Sequence, residues 1–223
     1  MTFEYIRQSI FFFKQNFTSL ALINLPFLIV FNFLFSQIDM SMAKDDPSSF
    51  TDNILLMSGL NLLFMPIYWG ATIAYMQSSV EGPLYTPGQA IVASLKLWPK
   101  LFSVFLLSSI GIFFGLMAFV APGVYVAIRL SIADYICVVE KQDTMFSLKQ
   151  SWHLTAEYVA PIFKGVALII MSIFLLKSMV SAVSESIFDS QGLQILINVF
   201  FDFINVLVMI YGFRIYCLIK AEL

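Results

Sequence analysis

Residues 122–155 read PGVYVAIRLSIADYICVVEKQDTMFSLKQSWHLT and combine an apolar segment, a charge within that segment and an amphipathic helix. A Pro-Gly pair opens the stretch, Arg129 lies near the middle of the apolar segment, and the helix after Glu140 ends in Ser-Trp-x-Leu-Thr. An arginine at the centre of a membrane span costs about 2.5–3.5 kcal/mol on insertion scales, so it needs a partner. The stretch therefore predicts a polar site inside a membrane.

The composition of the whole chain is that of a multi-pass membrane protein. Of its 223 residues, 60% are hydrophobic and 12% are charged, whereas a soluble domain is about 25% charged. A span needs about 20 apolar residues, and six segments are candidates: 17–38, 53–80, 101–120, 124–139, 158–183 and 193–218. The sequence predicts one all-α membrane domain over residues 1–223, in which the short fourth span is tilted or reaches the interface through its ends.

The distribution of basic residues predicts the orientation. With a cytoplasmic N-terminus, ten of the twelve Lys and Arg residues lie on or face the cytoplasmic side, and only Lys44 and Lys177 lie on the other side. Cytoplasmic connections carry such an excess of positive charge, so we expect both termini in the cytoplasm of a bacterial inner membrane. The outer connections are acidic, and the first of them, residues 39–52, is expected to be a flexible loop.

A short amphipathic helix is predicted before each odd-numbered span. The three share an apolar-x-x-Ser-apolar frame around Ser9, Ser94 and Ser151. The second begins at Thr86 as N-cap, and the third begins near Asp143 or Thr144. Basic and aromatic residues suit helices in the cytoplasmic interface. This pattern predicts three parallel helix-span-span repeats, about 2–80, 86–139 and 143–218; alternatively, any cytoplasmic connector between spans is amphipathic.

The same stretch carries a family resemblance. Its residues are Pro122, Gly123, Tyr125, Arg129, Glu140, Ser147, Leu148, Ser151, Trp152, Leu154 and Thr155. With them the chain resembles the YciC-type inner-membrane proteins of Gram-negative bacteria, and it is more distantly similar to the membrane domain attached to some glycerophosphodiester phosphodiesterases. The resemblance implies six spans with interfacial helices. The sequence has no phosphodiesterase domain, so that activity is not carried over.

The candidate polar site joins spans four and six. Asn198, Asp202 and Asn205 share one face of the sixth span, and Asp202 lies at the same expected depth as Arg129. We expect an Arg129–Asp202 pair, with Asn198 or Asn205 satisfying the remaining donors and acceptors; Asp134 is the alternative partner. Such a pair is either a structural link between helices or a site that binds a lipid headgroup or relays a proton.

Small and kink-forming residues predict how the spans pack. Gly111 and Gly115 form a G-x-x-x-G in the third span and should let the fourth span approach closely. Pro122 and Gly123 should form the tight turn between these two spans. In spans one and two, amides and prolines are expected to kink the helices or line a polar gap. These residues are Asn24, Pro26, Asn32, Asn61 and Pro66.

The chemistry-bearing residues favour binding over catalysis. No nucleophile, phosphate-binding or metal motif is present, and His153 is the sole histidine, so we expect neither cofactor nor metal. Cys137 and Cys217 are interpreted as core residues. Dispersed basic residues suit anionic lipids and do not suit nucleic acid. The leading hypothesis is a non-enzymatic protein that binds or moves a lipid or another amphipathic envelope molecule; the alternative is a structural or accessory protein for the envelope or a membrane complex. The oligomeric state stays open.

Overall fold

The computed structural model describes residues 2–42, 47–187 and 191–222, and side chains at 37–54 and 185–191 are outside that description. The described residues form ten helices. In chain order these are α1 (Thr2–Gln15), α2 (Phe17–Met42), α3 (Pro47–Val80), α4 (Pro87–Ala118), α5 (Val120–Arg129), α6 (Ala133–Val139), α7 (Thr144–Leu154), α8 (Val159–Ile187), α9 (Gln191–Ile204) and α10 (Val206–Ala221).

Six segments of the described chain are long and apolar enough to cross a membrane, which confirms the all-α architecture. They are Phe17–Ser36, Leu55–Val80, Pro87–Ala118, Val120–Val139, Val159–Ser184 and Gly192–Ala221. Their outer faces keep large apolar side chains exposed, among them Phe163, Phe174 and Met179 of α8. Exposed apolar surface on this scale is unstable in water and fits contact with lipid.

The connection between spans one and two differs from the expected flexible loop. α2 continues to Met42 and α3 begins at Pro47, so helix covers most of residues 39–52. Proline is favoured at the first position of a helix because its missing N–H would have no partner there. The acidic side chains predicted for the outer connections, at positions 39, 45, 46, 52, 185 and 189, lie outside the described side chains.

Spans four and six are each interrupted, a feature that the sequence does not predict. In span four, residues 130–132 form a turn between α5 and α6, and the N–H of Ala133 donates to the carbonyl of Leu130 (3.1 Å). That i→i−3 bond leaves the Arg129 carbonyl without its usual helical donor. Arg129 is therefore the last residue of α5, and it does not lie within a continuous helix. Span six changes at Asn205, whose carbonyl accepts from the N–H of Val208 (2.9 Å).

The connection between spans three and four is shorter than expected. The break is Phe119, in extended backbone (φ −168°, ψ 160°), while Pro122 and Gly123 lie inside α5. Gly115 faces Gly123 so closely that a Cβ on Gly115 would lie 2.9 Å from the Gly123 Cα. A Cβ on Gly111 would lie 3.7 Å from its nearest neighbours. Spans three and four are thus adjacent, and their backbones approach closely at Gly115 and Gly123.

Two of the three amphipathic helices are separate elements. α1 and α7 are separate, and α7 begins at Thr144 with Asp143 as N-cap, as predicted. The second is not separate, because its residues continue without a break into span three as one 32-residue helix. Its start at Thr86 is confirmed by a capping box, in which the Thr86 hydroxyl and the Gln89 side chain each accept a backbone N–H.

The serines of the repeated frame are all buried. Ser9 donates to the carbonyl of Tyr5 in its own helix (2.8 Å), whereas Ser94 and Ser151 donate to carbonyls of the preceding span, at Pro66 (3.2 Å) and Arg129 (2.8 Å). The second and third copies therefore share a bond from the serine to the preceding span, as a repeated unit would. The division into three repeats itself stays a prediction.

Buried tyrosines join spans four, five and six. The Tyr135 hydroxyl donates to the Met209 carbonyl (2.9 Å), and a Cβ on Gly212 would lie 2.5 Å from that hydroxyl oxygen. The Tyr211 hydroxyl likewise donates to the Pro161 carbonyl (2.9 Å). Glycine and buried tyrosine therefore hold these helices close together.

Candidate intramembrane polar site

A cavity of about 550 Å³ lies between spans one, two, five and six. Its wall mixes apolar side chains with an unusual number of polar ones. The polar members are Asn24, Asn32, Asn61, Tyr68, Lys177, Asn198, Asp202 and Asn205. Polar side chains within spans usually face a bundle interior or a water-filled space, where they mark functional positions.

Asp202 is held on the cavity wall by an amide from span one. The side-chain N–H groups of Asn32 donate to the Asp202 carboxylate (2.9 Å) and to the carbonyl of Leu28 in its own helix (3.0 Å). Asn198 and Asn205 line the same cavity, and the Asn205 amide donates to the carbonyl of Phe201 (3.3 Å). The structure thus brings together the predicted polar face of span six and joins it to span one.

Asn24 forms a second link across the bundle, one that is fully buried. Its amide donates to the Leu20 carbonyl (2.9 Å) and to the Thr72 hydroxyl of span two (3.0 Å), and that hydroxyl donates to the Tyr68 carbonyl (2.8 Å). Asn24 and Asn32 therefore contribute to a polar gap, one of the two roles expected for them. Each also satisfies a carbonyl of its own helix.

Lys177 supplies the cation of this cavity. It lies in α8 and is partly buried, and no ion pair joins it to Asp202 or to another carboxylate among the described residues. Sequence reasoning had assigned Lys177 to the outer side only as a topology signal. The missed signal was its position inside the apolar segment 158–183, where a lysine is expensive.

Arg129 lies apart from the cavity and packs between two aromatic rings. Its guanidinium carbon is 4.8 Å from the centroid of the Trp152 ring and 5.6 Å from that of Tyr125. The two rings meet edge to face with centroids 6.0 Å apart. A cation over an aromatic face is attracted by the ring quadrupole. As the last residue of α5, Arg129 also faces the negative end of the helix dipole.

The Ser-Trp-x-Leu-Thr sequence of α7 completes this arrangement. The Ser151 hydroxyl donates to the Arg129 carbonyl (2.8 Å), and the Thr155 hydroxyl lies within bonding distance of the same oxygen (3.1 Å) and of the Ser151 carbonyl (2.7 Å). Ser151 and Thr155 thus replace the donor that the helix break removes, while Trp152 covers the side chain. Leu154 packs against the core. The helix break and the signature of α7 are therefore one structural unit.

Neither expected ion pair of Arg129 is present. Asp202 accepts from Asn32, and Asp134 accepts from the indole N–H of Trp69 (2.6 Å) and from the N–H of Tyr135 (3.0 Å). The hydroxyl bonds to its carbonyl hold Arg129 against α7. The sequence indicated that Arg129 and Asp202 share a depth, but depth does not fix the direction in which a side chain leaves its helix.

Asp134 lines a smaller cavity of about 270 Å³ beside the break in span four. Ser108 and Ser131 share its wall, and the Ser108 hydroxyl is buried without a partner. Sequence reasoning missed the role of Trp69, although a tryptophan within a span needs an acceptor for its indole N–H. Asp134 is thus a buried hydrogen-bond acceptor for span two.

Glu140 ends span four in a polar cluster. Its carboxylate accepts from Lys220 (2.8 Å) and from the Tyr216 hydroxyl (3.0 Å), which links span four to span six. Lys100 pairs similarly with Asp143 (2.7 Å) between α4 and the start of α7. The signature residue Glu140 therefore connects the ends of helices that also pack together deeper in the bundle.

These features define a six-span helical membrane protein with a polar cavity among its helices. The particular family follows from comparison with known sequences. The model of an uncharacterised protein family, UPF0259, matches residues 32–218, and the chain belongs to that family. This membership agrees with the expected resemblance at the level of a membrane-protein family. The distant likeness to the membrane domain of glycerophosphodiester phosphodiesterases stays a prediction.

Several UPF0259 membrane proteins are similar to the chain. That of Photorhabdus laumondii is 27% identical over 174 residues, covering 78% of this chain and 62% of the relative. That of Serratia proteamaculans is 26% identical, with 78% and 64% covered, and that of Yersinia pestis is 27% identical, with 78% and 62% covered. The match thus spans about 62% of the length of the first of these relatives. No solved structure matches the chain.

Proposed function

We propose that this protein binds, or moves, a lipid or another amphipathic envelope molecule by holding its polar end in the cavity between spans one, two, five and six. The cavity volume, about 550 Å³, falls within the range of about 300–1,000 Å³ that is usual for small-molecule sites. Its wall offers both polar groups and apolar surface, which suits the boundary between a headgroup and its chains. No catalytic step is part of this proposal.

One observation carries the proposal: Lys177 and Asp202 line the same cavity without pairing with each other. Opposite charges inside a membrane normally pair, because each unpaired charge is costly. Asp202 accepts a neutral amide instead, and among the described residues no carboxylate pairs with Lys177, so both charges are available to groups of opposite charge. The negative group of a zwitterionic or anionic headgroup would form an ion pair with Lys177, and the acyl chains would extend along the exposed apolar faces of the helices.

A structural role is the second candidate, and one observation favours it. The Asn32–Asp202 bond joins spans one and six across 170 positions of the chain, as a structural link between helices would. On this hypothesis the protein supports the envelope or a membrane complex, and the polar residues only hold the helices together. Membrane hydrogen bonds of this kind contribute about 0.6 kcal/mol each on average.

Native mass spectrometry of the purified protein separates the two candidates. We expect the wild-type protein to keep a specific lipid, and we expect Lys177→Met and Asp202→Asn to fold but to lose it. Lys164→Met is the matched control, because Lys164 lies in the same helix, is exposed and is not among the cavity residues. Loss of folded Asp202→Asn protein would favour the structural role. If both cavity variants fold and keep every bound lipid, the binding proposal fails.

We also propose a bacterial inner-membrane location with both termini in the cytoplasm. The support is the distribution of the twelve basic residues under the positive-inside rule. The pairs Lys100–Asp143 and Lys220–Glu140 gather basic residues near the ends of spans three, four and six that are expected to be cytoplasmic.

A further inference from the structure

We infer that Arg129, together with Tyr125 and Trp152, forms a second binding site, separate from the cavity, for the phosphate group of a membrane phospholipid. The inference does not depend on the proposed function of the cavity, since Arg129 is not among the residues that line it. It rests on the unfilled hydrogen-bonding capacity of a buried guanidinium.

Arg129 is buried but unsatisfied. The residue keeps 7% of its surface exposed, its Nε atom is buried without a hydrogen-bond partner, and no carboxylate among the described residues lies within ion-pair distance. A guanidinium carries five N–H donors and no acceptor. Buried polar groups nearly always have partners, so an unpartnered one requires an explanation such as an absent ligand.

The neighbouring protein groups do not fill this need. The rings of Trp152 and Tyr125 attract the positive charge but provide no oxygen or nitrogen acceptor in the positions that the N–H groups require. The carboxylates of Asp134 and Asp202 are already engaged, by Trp69 and Asn32 respectively. The acceptor must therefore come from outside the described chain.

The two rings that cover the guanidinium are partly exposed. Trp152 and Tyr125 are exposed at 36% and 45%, although the charge that they cover is buried. On this inference the headgroup approaches the guanidinium from the exposed side of the two rings, and its chains lie against the apolar faces of α4 and α5. At the other end of α5, Val120 and Phe119 are 71% and 78% exposed, as expected where the helix contacts lipid.

Phosphate is the anion that this geometry suits. A planar guanidinium binds two phosphate oxygens through parallel N–H groups, and aromatic stacking holds it in the orientation that this requires. Phospholipid headgroups supply phosphate along the whole membrane surface. Free inorganic phosphate has the same chemistry, and the experiment must distinguish these two sources.

Binding of short-chain lipids to the purified full chain tests the inference. Native mass spectrometry would compare dioctanoyl-phosphatidylglycerol with dioctanoylglycerol, which has the same chains without the phosphate, and with inorganic phosphate alone. We expect the wild-type protein to bind phosphatidylglycerol about tenfold more tightly than the diglyceride, which is the ratio that one charge-assisted bond provides. Arg129→Met should remove this preference, and Arg129→Lys should keep part of it, because lysine retains the charge but not the paired donors.

The controls keep the two sites apart. The loss caused by Arg129→Met should persist in a Lys177→Met background, where the cation of the cavity is absent. The inference is overturned if the wild-type protein shows no preference for the phospholipid, if folded Arg129→Met retains it, or if the loss disappears in that background. Displacement of the lipid by millimolar inorganic phosphate would also overturn it, by assigning the site to free phosphate. Should Arg129→Met not fold, the wild-type and Arg129→Lys comparisons still decide.

Discussion

Removing both hydroxyls that contact the Arg129 carbonyl should destabilise the protein by more than the two single changes together. The carbonyl has lost its helical donor to the turn at residues 130–132. Ser151 supplies the replacement at 2.8 Å, and Thr155 lies near two carbonyl oxygens but has one proton to donate. Thr155 therefore serves as a reserve donor, which becomes important when Ser151 is changed to alanine.

The magnitude follows from this geometry. Ser151→Ala should cost about 0.6 kcal/mol, the average for an interhelical hydrogen bond in a membrane protein, because Thr155 can turn to the bare carbonyl. Thr155→Val should cost a similar amount, about 0.6 kcal/mol, because Ser151 remains. The double variant leaves a buried carbonyl without a donor, which costs about 1–3 kcal/mol in addition to the lost bonds. We thus expect a coupling energy of about 1–3 kcal/mol between the two sites.

Unfolding of all four proteins by SDS in mixed micelles, followed by far-UV circular dichroism, gives the free energies for this double-mutant cycle. Ser172→Ala is the control, since the Ser172 hydroxyl is exposed and bonds within its own helix (2.8 Å); its effect should stay below about 0.5 kcal/mol. If the two single effects add to the double effect within about 0.5 kcal/mol, the shared-carbonyl account is refuted.

Three further predictions concern packing, charge and orientation. Gly115→Ala should destabilise the fold by about 1–3 kcal/mol, because its Cβ would lie 2.9 Å from the backbone of Gly123. Gly111→Ala is the control and should be nearly neutral, because its Cβ would make ordinary contacts at 3.7 Å. SDS unfolding measures both variants, and equal effects would contradict this packing. Glu140→Gln should lower the free energy of unfolding by less than about 1 kcal/mol, because its ion pair with Lys220 is partly exposed. If this decrease does not change with salt concentration in the same SDS assay, its cause is not electrostatic. The proposed topology can be tested by cysteine labelling in a background without the two native cysteines. A membrane-impermeant maleimide should label Phe119→Cys in intact cells and Gly88→Cys only after lysis. The reverse pattern would show that the orientation is opposite to the one proposed.

Some parts of the candidate site were predictable because helical periodicity places residues on a face. The spacing of Asn198, Asp202 and Asn205 put them on one side of span six, and the structure places all three on the cavity wall. Lys177 was not recognised, because a single lysine in an apolar segment does not reveal which helices surround it. Its contribution depends on how α8 packs beside α9 and α10.

The pairing of charges was beyond sequence reasoning. Arg129 and Asp202 share an expected depth, and an ion pair was the simplest solution to the cost of each. The structure instead gives Asp202 an amide from Asn32 and gives Arg129 two aromatic rings. Which partner each charge meets depends on how the helices are rotated relative to one another, and local sequence patterns do not predict that rotation.

The sequence by itself determined the membrane environment, the number of spans, the N-terminal cap at Thr86 and the start of α7. Each of these depends on composition or on interactions within a few residues, such as the capping box of Thr86. The tertiary structure alone decided the interruption of span four after Arg129 and the rescue of its carbonyl by Ser151. A helix break in a membrane is stable only when another element supplies the missing donor, and here that donor lies 22 positions away in the chain.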